Sequence, residues 1–267
     1  MKTSRLKNII IVILALVNVC LLALLSLRRG QERVARERTV SQLVELYEAN
    51  GVSLSPSVIS EDAGLSAIEP ARSLEEESAF ARAILGVCSA DDVGGGIYRY
   101  ASGAGQCLLR ASGAVDAALD RRVEDPAAFC ADLCADYGYE AVESSLADGS
   151  GSVRIVRRLS GGEVFNAELE LLFAQNRLLS VTGAFLPAAD SVQGGGEGIN
   201  AVTALVRFLD YSNASGEVCT EILDERSGYL LQSTASASLR LIPVWCITTD
   251  VNRYFVNFGN GEVTRDG

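Results

Sequence analysis

Val153-Arg154-Ile155-Val156-Arg157-Arg158-Leu159, then Val164 to Phe173, then Arg177 to Phe185, with Ser160-Gly161-Gly162 and Ala174-Gln175-Asn176 between them, is the stretch that decides the fold. Each run is rich in Val, Leu, Ile and Phe, and each break holds the small and polar residues that turns require. The stretch reads as a three-stranded antiparallel meander.

Upstream, Ser73 followed by Glu76 forms a capping box that opens a helix from Leu74 to Leu85, with Leu74, Phe80, Ile84 and Leu85 on its apolar face. Ile97 to Tyr100 and Gln106 to Arg110 flank Ser102-Gly103-Ala104-Gly105 and read as a hairpin. Asp125-Pro126 then opens a second helix that ends near Tyr137-Gly138 and carries an apolar stripe of Phe129, Leu133 and Tyr137. Downstream, the glycine-rich break at 193–198 looks like a seam. A helix from Ile199 to Tyr211 follows, with Val202, Leu205, Val206 and Leu209 on one face. Four strands are expected after it, Glu217 to Asp224, Gly228 to Thr234, Ser238 to Thr248 and Arg253 to Phe258, with a turn at Glu225-Arg226-Ser227. Helix plus antiparallel meander therefore occurs twice, and the class is α+β.

The start of the chain is of a different kind. A basic tail (Lys2, Arg5, Lys7) runs into an apolar stretch from Ile9 to Leu27, closed by Arg28 and Arg29. At about 1.5 Å per residue such a segment spans a hydrocarbon core of roughly 30 Å. A cleaved signal peptide is the rival reading, but its apolar region is shorter, and Leu25-Ser26-Leu27-Arg28 is a poor cleavage site. Both flanks are basic, and a plain count of Lys and Arg favours the second, which would place the large domain in the cytoplasm. Asn18, near the middle of the stretch, is the one residue there whose side-chain amide would gain from a second transmembrane helix. Tolerance of a single amide is the plainer alternative. Val40, Leu43, Val44 and Tyr47 continue at helical spacing as far as Asn50-Gly51, as a stalk would.

Charge and composition exclude more than they assign. The chain carries 23 Lys plus Arg against 34 Asp plus Glu, and eight of the basic residues stand at or before Arg38. So acidic a domain is a poor partner for nucleic acid. Histidine is absent, and the only lysines, Lys2 and Lys7, precede the apolar stretch. That removes imidazole bases and ligands, Ser-Lys dyads and Schiff-base lysines from the large domain. The glycines at 94–96 and 194–196 lack the Gly-Lys-Ser/Thr or Gly-x-Gly-x-x-Gly context of a phosphate loop.

Cys130 and Cys134 share a helix face without the further ligands zinc needs, and are expected to be packing residues. The other cysteines of the domain, Cys88, Cys107, Cys219 and Cys246, also sit in core-like surroundings, which favours thiols over disulfides. Carboxylate pairs can hydrolyse glycosides without histidine. Asp91-Asp92 and Glu75 to Glu77 read more simply as a solvated turn and a favourable helix start. Asn213-Ala214-Ser215 is a sequon short enough to arise by chance. No catalytic, cofactor-binding or metal residue is named, no cofactor is expected, and the chain is not read as an enzyme.

The lead Ser4-Arg5-Leu6-Lys7-Asn8-Ile9-Ile10, running into the apolar stretch with Asn18, resembles the N-terminus of the YycH/YycI family of membrane-anchored regulators. Leu241-Ile242-Pro243-Val244-Trp245-Cys246-Ile247, with Tyr254-Phe255-Val256-Asn257 and Gly261-Glu262-Val263, is similar to the closing strands of that family and of PepSY-like modules. These motifs cover under a quarter of the chain, and the cysteines and the arginine-rich second flank depart from the family pattern. The sequence pattern divides the chain into a tail at 1–8, a transmembrane helix at 9–27, a helical stalk at 28–50, a connector at 51–73, a first α+β unit at 74–192 and a second at 193–267; the resemblance implies that the tail is cytoplasmic and the second unit PepSY-like. It further implies an extracytoplasmic regulator in the cell membrane that contacts a cell-wall sensor histidine kinase of a two-component system, together with a second anchored regulator. The alternatives are a carboxylate-dependent wall-glycan hydrolase and a PepSY-type binding or inhibitory module.

Overall fold

A computed structural model describes residue 18 and residues 34–61, 64–159, 162–187, 198–233 and 239–266. The fold is mixed α+β, with four longer helices and one large sheet among the described residues. Helix α1 runs over 34–49, α2 over Leu74–Leu85, α3 over Pro126–Tyr137 and α4 over Ala201–Ser215. Three of them start where a short polar side chain can take up free N–H groups: Ser73 accepts from the Glu76 N–H, Asp125 from Ala127 and Ala128, and Asn200 from Thr203.

The strands, in chain order, are β1 (Ser53–Leu54), β2 (Ser89–Gly94), β3 (Ile97–Ser102), β4 (Gly105–Arg110), β5 (Ala114–Arg122) and β6 (Tyr139–Ser144). They continue as β7 (Gly151–Leu159), β8 (Gly162–Ala174), β9 (Arg177–Ala184), β10 (Glu221–Ser233), β11 (Leu239–Thr249), β12 (Arg253–Asn257) and β13 (Val263–Arg265). The meander expected from Val153 to Phe185 is present as β7, β8 and β9, paired antiparallel in order.

Strand β8 is where the sheet divides. Beyond it one arm runs β9-β5-β4-β3-β2 and the other β10-β11-β12-β13, while β7 and then β6 lie on its opposite side. The second arm joins through a short parallel contact, Gly228 opposite Glu163 and Tyr229 opposite Val164. The two expected meanders, β7-β8-β9 and the one that closes the chain, thus belong to a single sheet.

Two helix-covered apolar cores lie on this frame, and a smaller cluster of Phe165, Val244, Cys246 and Phe255 joins β8, β11 and β12. One packs α2 and α3 on the first arm, around Phe80, Ile84, Leu109, Ile155, Phe173 and Phe185. The other packs α1 and α4 on the second arm, around Tyr47, Leu205, Phe208, Trp245, Ile247 and Tyr254. Trp245 is fully buried, donates its indole N–H to the Ile199 carbonyl at 2.9 Å, and stacks on Phe258 with centroids 4.9 Å apart. Val52, Leu54, Ile59, Leu65 and Ile68 also join this core: β1 pairs in parallel with β10, and Ile68 bridges Leu241.

Several expectations need correction. Glu225-Arg226-Ser227 is no turn, because β10 runs unbroken from Glu221 to Ser233. The polar residues stay in the strand because they have partners: Glu225, 1% exposed, accepts from the Ser60 N–H at 3.1 Å, and Arg226 pairs with Glu163 and Asp224. Asp91 and Asp92 lie on the exposed strand β2, where Asp91 pairs across to Arg99 at 3.2 Å. Glu77 does stand in the first turn of α2, as a favourable helix start requires, and it is also buried there, held by the Arg72 guanidinium through two bonds of 2.6 and 2.9 Å. Strands β2, β5 and β6 form where the sequence pattern marks no strand.

The segment 9–27 falls outside the described residues except for Asn18, which is helical and exposed. Among the described residues no helix is long and apolar enough to cross a membrane.

Candidate functional site

Helix α3 and the edge strand β6 form the most promising surface of the domain. The chain passes from one to the other through a single residue, Gly138, whose left-handed backbone (φ 65°) ends the helix. Among the described residues strand β6 pairs with β7 on one side only, and its residues from Glu140 to Ser144 are exposed. The outward N–H and C=O groups of such a strand are left for another partner.

Between α3 and the sheet lies an open groove of about 400 Å³. Ala127, Cys130, Ala131 and Cys134 line its helix side, at the spacing that puts them on one face. Tyr139, Ala141 and Val153 line the sheet side, and Leu146 completes the apolar lining. Burial pushes the Cys130 thiol up to about 12, and pushes Cys134 up as well, with Glu140 adding to the effect. Both cysteines are therefore protonated thiols at neutral pH and poor nucleophiles. All six cysteines of the domain are free.

Tyr139 anchors the inner end of the groove. Its hydroxyl donates to the Ala184 carbonyl and accepts from the Leu186 N–H, both at 3.1 Å, which ties β6 to the end of β9. Burial raises its pKa. Over its ring, 5.6 Å from the centroid, sits the Arg157 guanidinium. Arg157 is 7% exposed, and its Nε has no hydrogen-bond partner. Burial lowers its pKa, while Tyr139 and Glu76 act in the other direction. It stands where the register of β7 against β8 shifts, a position that turns side chains off the regular ladder. In the same core Phe80, Tyr137 and Phe185 form a cluster with centroids 4.5 to 5.7 Å apart.

The sequence identified Cys130 and Cys134 as packing residues on one helix face, and the structure puts that face on the groove. It did not identify Tyr139 or Arg157. The alternation Val153, Ile155, Arg157 did hold a signal for the latter, since it points the arginine to the side of two core residues. Asn18 is helical and exposed, and the segment around it lies outside the described residues. The glycines at 94–96 form the β2–β3 turn with positive φ throughout, and those at 194–196 lie outside the described residues. Asn213 is an exposed residue of α4 whose amide donates to Asn50 at 3.3 Å. Among the described residues no group of three His, Cys, Asp or Glu side chains is placed to hold a metal ion.

No family model matches the chain, and no curated protein matches it. Solved structures do. An uncharacterized protein from Eubacterium rectale ATCC 33656 aligns over 78% of this chain and 86% of its own, with 10% identity and a TM-score of 0.48. The YpeB C-terminal domain of Bacillus megaterium aligns over 74% of this chain and 99% of its own, with 12% identity and a TM-score of 0.39.

Proposed function

We propose that the chain is a single-pass, membrane-anchored regulator whose outer α+β domain works by protein–protein contact, with a sensor histidine kinase as its target. The observation that carries the contact reading is the open apolar groove beside the unpaired edge of β6. A groove with protonated thiols, alanines and a clamped tyrosine offers surface for binding and no activated nucleophile. The membrane part of the reading rests on the apolar run from Ile9 to Leu27, and the helix-pairing part on Asn18 within it. A PepSY-type binding module is the same reading without the kinase.

Photocrosslinking in intact cells tests it, with a photoreactive residue at position 18 in one variant and at position 131 in another. Capture of a sensor kinase or a second anchored regulator from position 18 is the expected result. Lipid alone at position 18 would reduce the segment to a tether and remove the kinase from the reading. Co-purification with the kinase should also weaken in Asn18→Leu while the outer domain stays folded.

A further inference from the structure

We infer that the groove between α3 and β6 receives an extended, basic peptide segment of a partner, which adds to the sheet as a strand along β6 and places an apolar side chain in the groove. This deepens the contact reading above and rests on it.

Three observations converge. The outer edge of β6 is unpaired among the described residues, and the strand is exposed from Glu140 onward, so main-chain bonds to an added strand are open. The groove runs beside that edge and is lined by Ala127, Ala131 and Ala141, small residues that leave room for an incoming side chain. An added strand sends alternate side chains to opposite faces, so every second residue would point into the groove and the rest toward solvent.

The third observation fixes the charge of the occupant. From Glu124 to Ser152 the chain carries seven carboxylates, at Glu124, Asp125, Asp132, Asp136, Glu140, Glu143 and Asp148, and not one Lys or Arg. All seven are exposed. Arg154 and Arg158 of β7 pair with Glu143 and Glu140, leaving those on α3 and its approach to set the local field. An acidic peptide would be repelled there, whereas lysines alternating with aliphatic residues meet both the field and the groove.

The test uses the full chain in phosphatidylcholine nanodiscs, with empty nanodiscs as the blank. The probe is a fluorescein-labelled heptapeptide alternating Lys with Val and Leu, followed by anisotropy. Saturable binding is expected, weakened by about tenfold or more in three comparisons. These are Ala131→Phe, which fills the groove without altering charge; a peptide N-methylated at alternate amides, which cannot form the ladder; and a peptide with Glu in place of Lys. Ala131 is exposed on the helix surface, and a thermal melt of the variant confirms that it folds.

Equal binding by the N-methylated peptide would overturn strand addition, and equal binding by Ala131→Phe would overturn the groove as the seat. Equal binding by the Glu peptide would overturn the charge assignment. If no peptide binds while position 18 still captures a kinase, this inference falls and the regulator reading stands. Failure of both experiments would remove both.

Discussion

The hydroxyl of Tyr47 donates to the backbone carbonyl of Leu205 at 2.8 Å, inside the core of the second arm. That carbonyl belongs to α4, so the bond fastens α1 to a helix 158 residues further along the chain. Burial raises the Tyr47 pKa beyond the ordinary phenol range, as expected for a hydroxyl with no water to replace this partner.

Removing the bond and removing the ring should therefore differ. Tyr47→Phe keeps the packing and is expected to cost about 1 kcal/mol, whereas Tyr47→Ala opens a cavity and should cost about 3–5 kcal/mol. Urea unfolding of the two variants separates these figures. Equal losses would mean that the hydroxyl, and not the ring, makes the connection.

Gly228 is the residue through which the second arm meets β8. A Cβ there would lie 2.5 Å from the Glu163 carbonyl oxygen and 2.6 Å from the Phe165 ring, so the parallel contact depends on the missing side chain. Gly228→Ala should loosen this junction and leave each core largely intact, because the cores are packed by different helices. Calorimetry is expected to show a lower and broader transition than the parent, splitting into two. A single sharp transition at the parent temperature would show that the arms do not need this contact.

Alkaline pH offers a test of the buried thiols. Burial holds Cys107 at about 12 and Cys246 at about 11, against an ordinary thiol near 9. In an unfolded chain these thiols lose protons from about pH 9, whereas in the fold they keep them, so the native state binds more protons in between. Stability is therefore full below pH 9 and declines from there toward pH 11 to 12. For Cys107 the slope approaches about 1.4 kcal/mol per pH unit at most. Urea midpoints at pH 7.5, 9 and 10, under reductant, should fall only above pH 9. Cys107→Ala should start lower and decline less steeply.

How far the sequence disclosed this architecture depended on whether local pattern and burial agreed. Leu74–Leu85 and Pro126–Tyr137 were legible to the residue, because caps and termini are local chemistry written at Ser73, Asp125 and Gly138. The turn expected at Glu225-Arg226-Ser227 is strand instead, because three polar residues in a row have the local look of a turn. Nothing nearby in sequence reveals that Ser60 and Glu163 supply their partners. Strand β6 was missed for a related reason: Tyr139-Glu140-Ala141-Val142-Glu143-Ser144 has little apolar content, which is what an exposed edge strand needs. The groove could not be seen from sequence because it exists only where α3 lies beside that edge.

Arg157 and Gly138 give the sharpest test of the site. The guanidinium Nε is buried without a hydrogen bond, and a Cβ on Gly138 would come within 2.4 Å of Nη1. Arg157→Met keeps the aliphatic stem and drops the charge, so it loses a cation–π contact but also the cost of the unpaired group. Those terms are about 0.5–2 and 1–3 kcal/mol, and stability should be unchanged or raised by about 1 kcal/mol. Arg157→Ala also removes the stem and should be destabilising. Gly138→Ala pays for the left-handed backbone, about 1 kcal/mol, and for displacing the guanidinium. In an Arg157→Met background the second cost should shrink, and a double-mutant cycle would report the difference as coupling. Strict additivity would mean that the arginine moves aside freely and that the tight turn into β6 does not depend on it.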